Sequence, residues 1–125
     1  MPRDLSILES ESDLDDLLTR SHGQPVLLFK HSRSCGTSAY ALEELGDYLA
    51  RAPERLGCAM VTVQTHRALS DAIAERLGVR HHTPQVLLLK DGRVAWSATH
   101  HRITADAMDA EVRRLLSGEP APHLR

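Results

Sequence analysis

One cysteine stands in a polar stretch of the chain, the run "HSRSCGTSAY" at positions 31–40. Ser38 lies three residues beyond Cys35, where a Cys-x-x-Cys motif would place its second cysteine. Only the thiolate form of cysteine is nucleophilic, and the free N–H groups and dipole at a helix start favour that form. Helical spacing of apolar residues begins just after Cys35, so the sequence predicts a reactive thiol with a lowered pKa that works alone.

The residues around Cys35 are of types that stabilise a thiolate. A glycine next to the sulfur leaves room for a partner to approach, and the Ser38 hydroxyl could donate a hydrogen bond to the sulfur. Basic side chains ahead of the cysteine add positive charge. We expect the thiolate to be supported by Gly36, Thr37, Ser38, Lys30 and His31. The alternative, a buried and inert cysteine, is disfavoured because the run is too polar for a core.

A second candidate element is the run "HHTPQVLLL" at positions 81–89, in which Pro84 precedes an apolar strand. A proline at this place is usually only a strand boundary. In a domain with a thiol at a helix start, it also fits the cis-proline loop that faces the cysteine in thioredoxin-like folds. A cis bond would turn the backbone of Thr83 toward an incoming peptide-like thiol. We expect Thr83 and Pro84 to bind substrate, together with His82 and His100, unless these histidines are only solvated loop residues.

The remaining metal-binding and thiol side chains carry weaker signals. The eight histidines include the adjacent pairs His81-His82 and His100-His101. Adjacent residues in an extended segment point to opposite sides, and no cysteine or carboxylate lies at a recognised zinc interval, so we expect no metal site. Cys58 opens an apolar strand and is expected to be a core residue.

The composition narrows the class of protein. The 15 Lys and Arg residues are scattered among 17 Asp and Glu residues, and the net charge of −2 predicts no nucleic-acid partner. The run "MPRDLSILESESDLDD" lacks the apolar core of a secretory signal, and no apolar run reaches membrane-spanning length. We therefore expect a cytoplasmic protein that does not bind membranes and whose cysteines are reduced.

Changes in the spacing of apolar residues outline the elements that must position Cys35. The predicted order is helix, strand, helix, strand, helix, hairpin, helix, with a possible edge strand at 5–8. We expect the first helix to begin at Ser12, Gly78 to end the third, Asp91-Gly92 to form the hairpin turn, and Thr104 to cap the last helix.

Strands separated by helices run parallel, and the hairpin adds antiparallel strands. The expected fold is α/β and thioredoxin-like, a central mixed sheet of four to five strands with helices on both faces. We predict one domain over residues 1–118 and a flexible tail over 119–125. Cys35 then follows the carboxyl end of a parallel strand, where such sheets bind their ligands.

Two segments together resemble the YtxJ-type monothiol bacilliredoxins of the thioredoxin-like superfamily. They are "LLFKHSRSCGTSAYALEE" at 27–44 and "TPQVLLLKDGRVAWSATHHRIT" at 83–104. The sequence departs from the family pattern at Gly36, where proline is frequent, and at His101, where an aromatic residue is expected.

This resemblance implies an enzyme of the bacillithiol system, a thiol-disulfide oxidoreductase. Its nucleophile, Cys35, would remove bacillithiol from mixed disulfides on protein cysteines. Bacillithiol would be a co-substrate, with no cofactor, and the partners would be bacillithiolated proteins and bacillithiol. No resolving cysteine lies beside Cys35, so a second bacillithiol or a partner reductase would regenerate the thiol.

Two other functions stay open at this point. Cys-Gly-Thr-Ser is similar to the Cys-Gly-Phe-Ser of monothiol glutaredoxins that carry an iron–sulfur cluster, although position 37 lacks the aromatic residue. A non-catalytic thioredoxin-fold module that binds partners through Thr83-Pro84, with Cys35 incidental, is the third reading.

Overall fold

The computed structural model describes residues 5–118, and the predicted tail at 119–125 lies outside the described residues. The elements, in chain order, are β1 (Ser6–Ile7), α1 (Glu11–Arg20), β2 (Val26–His31), α2 (Gly36–Leu49), β3 (Gly57–Thr62), α3 (Arg67–Leu77), β4 (Gln85–Lys90), β5 (Arg93–Thr99), a 3-10 helix (His100–Arg102) and α4 (Ala105–Ser117).

The strands form one five-stranded mixed sheet in the order β1-β3-β2-β4-β5. β1 and β2 both run parallel to β3, whereas β4 is antiparallel to β2 and β5 is antiparallel to β4. This arrangement confirms the predicted mixed sheet, in which helical connections give parallel strands and a hairpin adds antiparallel ones.

The central strand β2 contributes to a core on each face of the sheet. Leu27 and Phe29 join a cluster with the buried residues of α2 and α4, and Val26 and Leu28 join a second cluster with those of α1 and α3. All four side chains are fully buried. Because successive strand residues point to opposite faces, an unbroken apolar run is what a strand covered on both sides requires.

The hairpin turn lies at the end of the sheet away from the cysteine loop. Asp91 and Gly92 have φ angles of 55° and 75°, as predicted for a two-residue turn of this sequence. Ser21, at the end of α1, holds the turn through two hydrogen bonds of 2.8 Å. The N–H of Asp91 donates to the Ser21 carbonyl, and the N–H of Gly92 donates to the Ser21 hydroxyl.

The helix ends follow local capping chemistry, with one correction to the sequence prediction. Thr104 caps α4 by accepting a hydrogen bond from the N–H of Ala107, and Gly78 ends α3 in the left-handed conformation, as predicted. The first helix begins earlier than expected. Ser10, not Ser12, is its N-cap and accepts from the N–H of Asp13. Two serines stand two positions apart here, so sequence alone favoured the wrong one.

Candidate active site

The cysteine loop and the Thr83-Pro84 segment meet at one edge of the sheet. Lys30, near the carboxyl end of β2, pairs with Gln85, the first residue of the antiparallel β4. The chain that leaves β2 toward Cys35 and the chain that enters β4 from Pro84 are therefore neighbours. The two segments that the sequence analysis singled out are brought together by this pairing.

Cys35 is the N-cap residue of α2, with extended backbone at φ −116° and ψ 121°. Its side chain is partly exposed, and its carbonyl accepts hydrogen bonds from the N–H groups of Ser38 and Ala39, each at 3.1 Å. Hydrogen bonding from the backbone N–H of Ser38 is the main cause that lowers the pKa of the Cys35 thiol. Burial is the next largest cause and opposes this lowering, and the N–H and hydroxyl of Thr37 each lower the pKa by a smaller amount.

The predicted lowering of the Cys35 pKa is thus confirmed, and its source is the start of the helix. Gly36 beside the sulfur is exposed, and a Cβ placed there would meet no atom within 4 Å. The approach to the thiol is open at this position.

Ser38, at the position of the missing second cysteine, is fully buried and takes part in the architecture of the loop. Its hydroxyl oxygen accepts a hydrogen bond from the N–H of Ser32 at 3.0 Å and lies 2.8 Å from Nδ1 of His31. Burial, with a smaller effect of Arg33, lowers the pKa of His31. The neutral ring can then accept a hydrogen bond from the Ser38 hydroxyl. The expectation that this hydroxyl bonds to Cys35 is corrected, since Ser38 acts on the sulfur through its N–H.

Gln64 ties the cysteine loop to the end of β3, and the sequence analysis missed it. Its side-chain oxygen accepts from the N–H of Arg33 at 3.1 Å, and its side-chain nitrogen donates to the hydroxyls of Ser32 and Ser34 at 2.7 and 3.1 Å. The sequence contained a signal for Gln64. The residue follows β3, which runs parallel to β2, so it lies at the same edge of the sheet as the cysteine loop.

The Lys30 side chain projects from the face of β2 that packs against α1 and α3. Cys35 lies at the start of α2, which packs against the opposite face. The Lys30 side chain is fully buried, and Nζ lies 2.7 Å from Nδ1 of His81. Burial lowers the pKa of Lys30 to about 8, and the nearby Asp71 carboxylate partly opposes this. None of the causes that shift the Cys35 pKa involves Lys30 or His31. Lys30 therefore contacts the segment that leads to Thr83.

The Thr83-Pro84 peptide bond is cis, as predicted. The N–H of His100 donates to the carbonyl of Pro84 at 3.2 Å, which joins the segment to the 3-10 helix after β5. The rings of His82 and His100 lie edge to face with centroids 6.0 Å apart. The four residues expected to bind substrate therefore lie together.

A further aromatic contact borders the same region. Tyr40, on α2, is 47% exposed, which makes it one of two large apolar side chains so exposed within residues 5–118. Its ring centroid lies 6.2 Å from that of His101, the position at which the sequence departs from the bacilliredoxin pattern. Tyr40 was not singled out in the sequence, because one tyrosine on a helix carries no distinctive spacing.

Cys58 and the histidines complete the account of the predicted side chains. Cys58 is 2% exposed in the cluster beneath α2 and α4, so the expected core position is confirmed. Within residues 5–118, no group of three or more histidine, cysteine or acidic side chains is placed to hold a metal ion. No helix in this part of the chain is long and apolar enough to cross a bilayer.

Comparison with solved structures gives the class of protein. The chain is similar to a provisionally assigned oxidoreductase with a thioredoxin fold, at 25% identity and a TM-score of 0.76 over 86% of this chain and 92% of the other. A mutant thioredoxin from Halobacterium salinarum matches at 23% identity and a TM-score of 0.69, with 88% of each chain covered. A thioredoxin from Trypanosoma brucei brucei matches at 10% identity and a TM-score of 0.72 over 91% of this chain and 92% of the other.

These matches and the geometry around Cys35 define a thioredoxin-fold protein with a single cysteine at the start of α2. The sequence profile of the monothiol bacilliredoxin BrxC family matches residues 6–108. The chain belongs to this family, as the resemblance predicted, and has the redox role of a thioredoxin-like oxidoreductase.

Proposed function

We propose that the protein removes bacillithiol from mixed disulfides on protein cysteines in the cytoplasm, with Cys35 as the nucleophile. The observation that carries the proposal is the chemistry of one position. Cys35 is accessible and has a lowered pKa, while the buried Ser38 occupies the place of a resolving cysteine. A site of this kind can accept one small thiol but cannot expel it by forming its own disulfide.

The exchange proceeds in two balanced steps. The Cys35 thiolate attacks the bacillithiol sulfur of the mixed disulfide, so that a Cys35–bacillithiol disulfide forms and the substrate protein leaves as a thiolate that takes up a proton. The thiolate of a second bacillithiol then attacks the adduct, which releases bacillithiol disulfide and restores the Cys35 thiolate. No electron leaves the set of sulfur atoms, so the exchange requires no metal or organic cofactor.

The described side chains support these steps in different ways. The N–H of Ser38 and the two donors of Thr37 stabilise the attacking thiolate. Thr83 and Pro84, on the neighbouring segment, offer backbone to the chain that carries the mixed disulfide. His82 and His100 border that segment, where an anionic substrate would approach. A dedicated reductase is an alternative source of the second thiol.

Intact-protein mass spectrometry tests the proposal. The protein is incubated with bacillithiol disulfide and, separately, with glutathione disulfide, and a bacillithiolated substrate protein is then used to follow removal of the adduct. We expect one bacillithiol adduct on Cys35, loss of both adduct and removal in Cys35→Ala, and retention of both in the control Cys58→Ala. Removal that persists in Cys35→Ala, or an adduct formed with glutathione alone, would refute the assignment.

A further inference from the structure

A cavity of about 320 Å³ adjoins the Thr83-Pro84 segment. Its walls come from the segment between α3 and β4, from the end of β5 and from the 3-10 helix, and the polar side chains that line it include Arg80, His82, Gln85, Thr99 and Arg102. Its volume is at the lower end of the range for small-molecule sites. Since His82 directly precedes Thr83 and Thr99 directly precedes His100, the cavity opens beside the residues expected to bind substrate.

The cavity is positively charged, although the protein has a net charge of −2. Two arginines, Arg80 and Arg102, line it, and no Asp or Glu is among its lining residues in the described part of the chain. Neither guanidinium forms an ion pair with an acidic residue within residues 5–118. A guanidinium presents paired N–H donors that match the two oxygens of a carboxylate. The cavity therefore fits a ligand that carries carboxylate groups.

Gln85 connects the wall of the cavity to the segment that carries Arg80. The residue is 3% exposed, and its side-chain nitrogen donates to the carbonyl of Arg80 at 3.1 Å. Its side-chain oxygen is buried and has no hydrogen-bond partner among the described residues. Gln85 therefore forms a buried part of the cavity wall and holds the backbone of Arg80 beside it.

We propose that this cavity binds the carboxylate-bearing end of the small thiol that Cys35 receives. The inference rests on the proposed function for the identity of the ligand, and on Arg80 and Arg102 for its chemistry. The class it specifies is a small thiol with carboxylate groups, and bacillithiol and glutathione both fall in that class. The cavity selects for the charged end of the ligand, while Cys35 reacts with its sulfur.

Steady-state exchange with two kinds of disulfide tests this proposal. One substrate is a peptide disulfide of bacillithiol, and the other is bis(2-hydroxyethyl) disulfide, which has no carboxylate. Arg102→Gln removes one cation at an exposed side chain, so loss of folding is not expected. We expect it to raise the ratio of the KM for the bacillithiol disulfide to the KM for bis(2-hydroxyethyl) disulfide roughly tenfold. A change of this size corresponds to the loss of one charge-assisted hydrogen bond.

Arg93→Gln is the matched control, because Arg93 is an exposed arginine at the opposite end of β5. It makes the same change in net charge and should leave the ratio of the two KM values at the wild-type figure. An equal rise in both KM values for Arg102→Gln, or an equal change in the ratio for both variants, would overturn the proposal.

A binding measurement separates failure of this inference from failure of the proposed function. Cys35→Ala protein is titrated with succinate, a free dicarboxylate, and NMR chemical shifts are followed. Saturable shifts at Gln85 and Arg102 in the Cys35→Ala protein support the cavity even if Cys35 does not exchange with bacillithiol. The shift at Gln85 should disappear in the double variant that carries both Cys35→Ala and Arg102→Gln. Succinate binding together with an unchanged KM ratio would overturn the link to the small thiol, and the absence of saturable shifts would overturn the carboxylate site.

Discussion

Replacing Lys30 by methionine should change how the stability of the protein depends on pH. The Lys30 side chain is fully buried, and burial lowers its pKa from 10.5 to about 8. At about 1.4 kcal/mol per pKa unit, this lowering corresponds to a cost of about 3 kcal/mol for holding the charged form in the folded protein near neutral pH. Methionine has a similar shape and carries no charge, so Lys30→Met removes the cost at every pH.

The sign follows from proton binding. Between a pH of about 8 and 10.5, the folded protein binds fewer protons at Lys30 than the unfolded chain does, so stability rises with pH through this window. The free energy of unfolding of the wild type should therefore rise relative to that of Lys30→Met by about 2 kcal/mol from pH 7 to pH 9.5. Taking the difference between the two proteins cancels the titration of groups that they share.

Urea denaturation at several pH values, followed by circular dichroism, measures this difference. Lys90→Met is the control for loss of a lysine, since Lys90 is the other lysine of the sequence and lies at the far end of β4, next to the hairpin turn. If the free energies of unfolding of the wild type and of Lys30→Met change in parallel from pH 7 to pH 9.5, the reasoning is refuted. Such a result would mean that Lys30 is not held in a desolvated environment.

Two further predictions concern the thiol and its loop. Thr37→Val removes a hydroxyl that lowers the Cys35 pKa, so the pH midpoint of iodoacetamide alkylation should move upward from a wild-type value below that of an ordinary cysteine; an unmoved midpoint would contradict the assigned cause. Ser38→Ala leaves the buried N–H of Ser32 without its acceptor and should lower the free energy of unfolding by about 1–3 kcal/mol, measured by urea denaturation, whereas Ser34→Ala at an exposed position serves as the control.

The sequence predicted the frame of the site well, because each part of it has a local cause. The unbroken apolar run of β2, the Asp91-Gly92 turn and the helical spacing after Cys35 each restrict the backbone where they stand. The meeting of the cysteine loop with Thr83-Pro84 could also be expected, since both lie at the same edge of one sheet.

Side-chain partners across elements could not be predicted in the same way. Lys30 precedes the cysteine loop and was expected to support the thiolate, but its direction depends on the face of β2 from which it projects, and it contacts His81. The Ser38 hydroxyl was expected at the sulfur, yet His31 and Ser32 lie within its reach once the loop is folded. The edge of the sheet at which Gln64 lies could be predicted, but its hydrogen bonds to the cysteine loop could not. Gln85 begins a strand that is distant in sequence from Cys35, and no spacing rule connects the two residues.

The burial of Cys58 sets a limit on turnover. With Cys58 2% exposed in the core, Cys35 is the one thiol of this chain that a disulfide can reach. By the exchange proposed above, one protein molecule would store one small-thiol equivalent, and without a regenerating thiol the reaction should stop after a burst equal to the protein concentration. In a cell that has exhausted its reduced small thiol, such a protein would act as a stoichiometric sink and record the redox state as its own degree of modification.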